Sequence, residues 1–277
     1  MQRRPADLSK SENLAHQVTR HYGHDDLEVG VAAALAAHGS GPDGLGDFDE
    51  LHVGGRDATR SLAEKLPLGE GRHLLDVGSG VGGAARLLAA ERGWWVTGID
   101  LTEPYCRVAR DLTAQSGLAE RAGFVVGNAL SLPFADDTFQ ATTSVHAAMN
   151  IPDKAALYRE IRRVLSPSGR FALYDLLQGL GGATRFPVPW ADDEATSFLV
   201  GPEALRAHLE EAGFQILAFE SRAVAGKAFY ERAAKPSDLA RAGVRLFLGA
   251  DYKGKMANLK LNVLEERVVP WLVVCQA

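Results

Sequence analysis

Cysteine is nearly absent from this 277-residue sequence, which holds only Cys106 and Cys275. Two thiols, in segments that read as a helix and a terminal strand, supply neither a disulfide framework nor a cysteine metal site, so both are expected as buried structural groups. Long apolar runs are missing as well. No stretch approaches the roughly 20 residues needed to cross a bilayer. The opening MQRRPADLSK has basic residues without a following apolar segment, which reads as a cytoplasmic chain with no membrane span. Positive charge is in deficit, with 30 Lys and Arg against 35 Asp and Glu for a formal net charge of −5. That balance argues against a nucleic-acid partner, because such binding depends on neutralising many phosphates. What remains is 46% hydrophobic and 23% charged, the composition of a chain that folds. Its length suits one large domain carrying a smaller lid.

Periodicity divides the chain. Ser9 and Glu12 have capping-box spacing, and Leu14, Val18 and Tyr22 continue on a helical stripe; a second helical run covers about Leu27 to Ala37. HGSGPDGLGD, from His38 to Asp47, is turn chemistry. From Arg72, short apolar runs alternate with helical stripes: HLLDV at 73–77, WVTGI at 95–99, GFVV at 123–126, FQATTS at 139–144 and RFALYD at 170–175. Continuous apolar runs suit strands buried on both faces, and the intervening lengths suit crossover helices, so a parallel α/β sheet is expected. Tyr105, Val108, Ala109 and Leu112 mark one crossover; Leu157, Ile161, Val164 and Leu165 mark another, stopped by Ser166, Pro167 and Gly169. A strand FQILAF at 214–219, a mostly helical stretch at about 227–266 and the run WLVVCQA complete the chain. Pro270 belongs at the start of that last strand, not in its middle. The expected division is a helical lid and lead-in at 1–66, then a core at 67–277 with a lid insertion at about 227–266.

LLDVGSGVGG, from Leu74 to Gly83, is a strand ending in a glycine-rich turn that runs into a helix. Such a turn lets a nucleotide-like ligand approach main-chain N–H groups at a helix N-terminus. Gly78, Gly80 and Gly83 satisfy G-x-G-x-x-G and Asp100 ends the next strand, which also admits a nicotinamide dehydrogenase. Asp76 weighs against that alternative. A carboxylate just before the glycines sits poorly beside a pyrophosphate and suits a cofactor carrying an ammonium and a sulfonium but no phosphate.

On these residues the chain resembles the class I S-adenosylmethionine-dependent methyltransferases. DVGSGVGG followed by GID at 98–100 is similar to the family's first two motifs. GNALSLPFADDTF at 127–139 resembles its adenine-binding turn and L-P-F-x-D-x-x-F run. SVHAAMNIPDK at 144–154 resembles the exit from the fourth strand, and RVLSPSGRFALYD at 163–175 the R-V-L-x-P-G-G turn and fifth strand. The match covers about residues 72–220 and is similar to the subgroup around ubiquinone and menaquinone biosynthesis, sugar and natural-product methyltransferases, and sarcosine or dimethylglycine N-methyltransferases. FDELHVGGRDAT at 48–59 adds to the last comparison.

The resemblance implies a doubly wound, seven-stranded, mostly parallel Rossmann-like sheet with an antiparallel last strand and a helical lid. It implies S-adenosyl-L-methionine as cofactor, with S-adenosyl-L-homocysteine as product. Gly78 and Gly80, with Gly82 in the same turn, would contact the methionine part, and Asp76 would lie near its amino group. Asp100 would take the ribose hydroxyls, Leu101 would pack on the adenine, and Asn128 with Ala129 would read the adenine edge. Many relatives have Asp where this chain has Asn128; an amide both accepts and donates. Tyr22, in an H-Y-G turn, resembles a lid-closing position.

The expected function is methyl transfer to an O or N atom of a small metabolite or natural product. A small-molecule acceptor is the expected partner, and self-association into a homo-oligomer is left open. The alternatives are a nicotinamide-dependent oxidoreductase and a non-catalytic protein that binds the same cofactor. His146, after the fourth strand, is expected at the carboxyl edge of the sheet as cofactor neighbour and first candidate for a base. Tyr174 and Asp175 are expected to close the fifth strand, face the same crevice and orient an acceptor. Trp190, Phe198, Phe229, Tyr230, Phe247 and Tyr252 are candidates for an acceptor pocket.

Overall fold

Strands buried on both faces form where apolar residues run without alternation. The computed structural model, which describes residues 27–38, 45–232 and 237–277, places them on those runs. β1 (His73–Val77), β2 (Trp95–Asp100), β3 (Ala122–Val126), β4 (Phe139–Val145), β5 (Leu165–Gln178), β6 (Gln215–Ser221) and β7 (Val268–Gln276) form one sheet in the order β3-β2-β1-β4-β5-β7-β6. The first five strands pair parallel, and β7 lies between β5 and β6, antiparallel to both. This is the seven-stranded, mostly parallel sheet expected from the sequence.

Successive residues of a strand face opposite ways, and β1 shows the consequence. Leu74 packs with Val96, Phe124, Ala141 and Ala172 on one face, whereas Leu75 packs with Phe139, Ile161, Phe171 and Leu173 on the other. Helices cover both. α3 (Gly55–Glu64), α4 (Gly83–Arg92) and α5 (Glu103–Gln115) lie on the first face; α6 (Lys154–Val164) and α7 (Pro202–Glu211) lie on the second. The stripes Tyr105, Val108, Ala109, Leu112 and Leu157, Ile161, Val164 are buried as their spacing predicts. The Asp153 carboxylate accepts from the Ala156 N–H at 2.9 Å and starts α6. Cys106 and Cys275 are both free and buried, on opposite faces.

Two expectations change. β5 begins at Leu165, so the SPSG segment is counted into the strand: Leu165 pairs with Phe139 before a register shift. It also runs on to Gln178, because β7 pairs with it from Arg170↔Gln276 to Gln178↔Val268; Tyr174 and Asp175 therefore lie inside the strand rather than at its close. Pro270 is the third residue of β7. Its carbonyl accepts from the Arg222 N–H at 2.8 Å, so its missing N–H points the same way, just past the last β6 pair, Ser221↔Trp271.

Above the carboxyl ends of the strands sits a helical cover. α1 (Leu27–His38) and α2 (Gly46–Asp49) pack with α9 (Asp238–Leu248) through Leu27, Val31, Phe48 and Phe247. α8 (Ala223–Arg232) and α10 (Tyr252–Leu264) fill the rest of the connection from β6 to β7. α3 differs from these: Ala58, Leu62 and Ala63 share a cluster with Leu74, Ala172 and Leu272, so by packing this helix joins the sheet although it precedes residue 67.

Candidate active site

Four chain segments leave the carboxyl ends of β1 to β4 and enclose one cavity of about 250 Å³, the place where open α/β sheets bind ligands. The first is the glycine turn. Gly78 and Gly80 line the cavity, and a Cβ at Gly80 would meet nothing within 4 Å, so the main chain lies bare to a ligand there. Gly82 does not line it. This residue caps α4 at φ 83°, and a Cβ there would strike the Phe124 ring at 2.5 Å and the Arg86 side chain at 2.8 Å; it serves the turn and the packing behind it.

Asp76, on β1, is 2% exposed and accepts from the Thr143 hydroxyl of β4 at 2.8 Å. Burial lifts its carboxyl to about 6, against the Thr143 hydrogen bond and with help from the Asp100 charge. Asp100, ending β2, accepts from the Gly80 N–H at 2.8 Å and the Thr102 N–H at 2.9 Å. Burial raises it despite those bonds. Leu101, Asn128 and Ala129 follow on the same rim; the Asn128 Oδ1 accepts from the Leu130 N–H at 2.9 Å and fixes the turn after β3. Asp49, from α2, adds a third carboxylate to the lining. Among the described residues, no lysine or arginine lines this cavity.

The fourth segment carries His146, immediately after β4, at φ 49°. Its N–H donates to the Tyr174 carbonyl at 2.9 Å and its ring stacks on Tyr174 at 5.7 Å. His146 lines the cavity, yet its Nε2 is buried without a hydrogen-bond partner, and burial together with His52 holds its pKa well below the ordinary value. Tyr174 and Asp175 do not line the cavity, in contrast to the expectation. Neighbours on a strand point to opposite faces, and neither of these reaches the edge. Tyr174 borders a separate hollow with Gly54, Arg222 and Phe229, and burial pushes its phenol up to about 12. Asp175 is 1% exposed and accepts from the Ala148 and Leu176 N–H groups, each at 2.8 Å. Lys154 sits near it, donating to the carbonyls of Ala148 at 2.6 Å and Phe198 at 2.8 Å, so this pair shapes the turn after β4 from beneath. Tyr22 lies outside the described residues.

Beyond the glycine turn the cavity becomes apolar. Met149, Trp190, Phe247, Leu248 and Leu259 line it, which includes two of the six aromatic candidates; Phe198, Phe229, Tyr230 and Tyr252 do not reach it. The Trp190 Nε1 donates to Ser197 at 2.9 Å and the Tyr105 hydroxyl to the Phe247 carbonyl at 3.1 Å, so these polar ends are spent within the protein. His52 also lines the cavity and was not singled out from the sequence. Its ring lies 5.6 Å from that of His146. The signal was present in the FDELHVGG segment, where a histidine precedes a left-handed Gly54–Gly55 turn, φ 92° and 49°.

A three-layer α/β sheet with an acidic, glycine-edged cavity at the carboxyl ends of its strands is the architecture of the class I S-adenosylmethionine-dependent methyltransferases. Over part of the chain the comparisons agree with that architecture: residues 75–173 match the family model described as a methyltransferase domain. It is 37% identical over 130 residues to methyltransferase GfsG of Streptomyces halstedii, covering 47% of each chain. It is 28% identical over 183 residues to O-methyltransferase rstn1 of Aspergillus nomiae, covering 62% of this chain and 76% of that one. Sterol C-methyltransferases are also among the relatives. Matches span less than half the length of the first of these relatives. Among solved structures, the [4+2]-cyclase SpnF superposes with a TM-score of 0.64 at 26% identity, covering 79% of each chain.

Proposed function

We propose that this protein transfers a methyl group from S-adenosylmethionine to a small molecule. The observation that carries the reading is the cavity wall: Asp76 and Asp100 at a bare glycine turn, with no lysine or arginine lining it among the described residues and with Asp49 already paired with Arg86. Two carboxylates raised by burial favour a ligand that brings positive charge, and they oppose the pyrophosphate of a nicotinamide dinucleotide. Asp76 would hold the ammonium, Gly78 and Gly80 the methionine part, Asp100 the ribose hydroxyls, Leu101 the adenine face, and Asn128 with Ala129 the adenine edge. His146 would close that end as a wall against the cofactor. When bound, the cofactor supplies an electrophilic methyl group.

The protein's own part is to hold the acceptor in line and to exclude water. α2, α9 and α10, which contribute Asp49, Phe247, Leu248 and Leu259 to the cavity, would form the lid, and the apolar wall of Met149, Trp190, Phe247 and Leu259 suits an acceptor with an apolar body. No helix among the described residues is long and apolar enough to cross a membrane. A second reading comes from the likeness to SpnF, a cyclase on this fold: the cavity would then shape a ring closure rather than a methyl transfer.

Calorimetry with S-adenosylmethionine, S-adenosylhomocysteine and NAD(H), on wild type, Gly80→Val and Asp100→Ala, tests cofactor identity. Binding of the two sulfur compounds alone, weakened in both variants, is expected; NAD(H) binding alone would overturn the proposal. Transfer of labelled methyl to any acceptor then separates the methyltransferase from a cyclase or a non-catalytic binder.

A further inference from the structure

The Gly55 carbonyl can only accept, and it lies 3.0 Å from the His52 Nε2. The hydrogen of a neutral His52 ring is therefore on Nε2. Thr59 confirms the direction. Its hydroxyl donates to the buried Glu50 carboxylate at 2.6 Å, so at 3.3 Å from Nε2 its oxygen can only receive. Nδ1 is thus a lone pair, and among the described residues it makes no hydrogen bond, on a ring that lines the cavity. Val53, the next residue, shares a buried cluster with Met149, Trp190 and Leu259, which puts the residue after His52 against the apolar end of the cavity.

We propose that His52 is the proton acceptor for a hydroxyl-bearing acceptor molecule in this cavity, its reactive tautomer fixed by the Gly55 carbonyl. The assignment rests on the methyl-transfer reading. In the step, the acceptor O–H bond breaks, its pair stays on oxygen, and the proton bonds to Nδ1, giving an imidazolium beside an oxyanion with no change in net charge. The imidazolium is held by the Gly55 carbonyl, which orients the base through the nitrogen it does not use, with the Thr59 hydroxyl oxygen 3.3 Å and the Glu50 carboxylate charge 3.6 Å from that same nitrogen. His146 lacks such a partner, since its Nε2 is buried with none.

Burial holds His52 down to about 4, keeping it neutral and able to accept at neutral pH, while Glu50 is pushed up to about 7. The groups facing the pair are Asp49, Arg56, Asp76, His146 and Tyr174. Ionisation of Glu50 makes His52 a stronger base, so activity is expected to rise with pH through about 7.

Two measurements test this. Long-range ¹H–¹⁵N correlation of the imidazole, with and without S-adenosylhomocysteine, is expected to show His52 as the Nε2–H tautomer at pH 7; an Nδ1–H tautomer overturns the assignment. The second is methylation of a panel of phenols of graded acidity. His52→Gln, whose amide keeps a donor for Gly55, is expected to lower kcat about 10²–10⁴-fold on weakly acidic phenols and far less on acidic ones. KM and S-adenosylhomocysteine affinity should hold, and Glu50→Gln should erase the pH limb near 7. An equal loss across the panel, no loss, or a wild type that binds the cofactor and methylates no phenol each overturns the proposal. Failure to bind S-adenosylmethionine would instead overturn the methyltransferase reading and leave the tautomer to be decided by the spectrum.

Discussion

Gly78 and Gly80 look equivalent in the motif, yet they answer to different constraints. Both have positive φ, 76° and 52°, where a side chain costs about 1–2 kcal/mol. A Cβ on Gly78 would also press on the Ala147 Cβ at 2.4 Å, whereas one on Gly80 would enter the cavity freely. Gly78→Ala should therefore lower the denaturation midpoint more than Gly80→Ala does. Gly80→Ala should fold with a loss of about 1–2 kcal/mol and lose cofactor affinity, measured by urea unfolding and calorimetry side by side. Asp76 gives a pH signature. Its folded pKa of about 6 stands above the ordinary 3.8, so between those values the folded protein holds more protons than the unfolded chain and stability falls as pH rises through that window. Ligand binding runs the other way, because an ammonium needs the carboxylate. S-adenosylhomocysteine affinity is expected to weaken as pH drops below about 6, and Asp76→Asn should bind weakly and lose that dependence. Titration calorimetry across pH 5 to 8 on both proteins checks it, and a wild-type affinity flat across pH 6 would remove the ammonium from Asp76.

At the scale of elements, one arginine ties the segment bearing Asp49, Glu50 and His52 to the core by polar contacts, beside the buried Phe48 and Val53. Arg86, on α4, is 5% exposed and forms an ion pair with Asp49; it also donates to the Val81 carbonyl at 2.8 Å, the Ala109 carbonyl at 3.3 Å and the Thr113 hydroxyl at 3.1 Å. It thereby joins α2, the glycine turn and α5. Removing one partner of a buried pair leaves the other charge uncompensated, at about 3–5 kcal/mol. Arg86→Met is expected to lose that much in urea unfolding, whereas Asp49→Asn with Arg86→Met should recover part of it. Additive losses would show that the pair carries no shared energy. None of this was legible beforehand, since Arg86 reads as an ordinary helical residue. The crossover helices were legible because their apolar stripes repeat at 3.6-residue spacing. The span of β5 was not, because its extension to Gln178 is imposed by pairing with β7, about a hundred residues later in the chain.

For the whole molecule, the same division explains what the sequence could disclose. Gly78, Gly80, Asp76 and Asp100 lie within one β-α-β stretch, where local spacing sets their position. Tyr174 and Asp175 depended on where a strand ends, and His52 on which loop folds across the sheet edge, so distant packing decided all three. The cavity accordingly has two unlike sides: sheet ends and glycine turn below, α2, α9 and α10 above. The lower side shares the buried clusters of the sheet, whereas Phe247, Leu248 and Leu259 above belong to helices outside it. Elements outside the sheet open at lower free energy than its central strands. A ligand present at 100 times its Kd stabilises the folded state by about 2.7 kcal/mol. Hydrogen exchange with S-adenosylhomocysteine at that level should therefore slow about 100-fold wherever exchange requires release of the ligand. The largest change is expected at residues 45–55 and 245–260, with little at Leu74, Leu75 and Ala141 on the measured timescale. If the sheet responds and the cover does not, the upper helices take no part in enclosing the cofactor, and the acceptor would reach the cavity without passing beneath them.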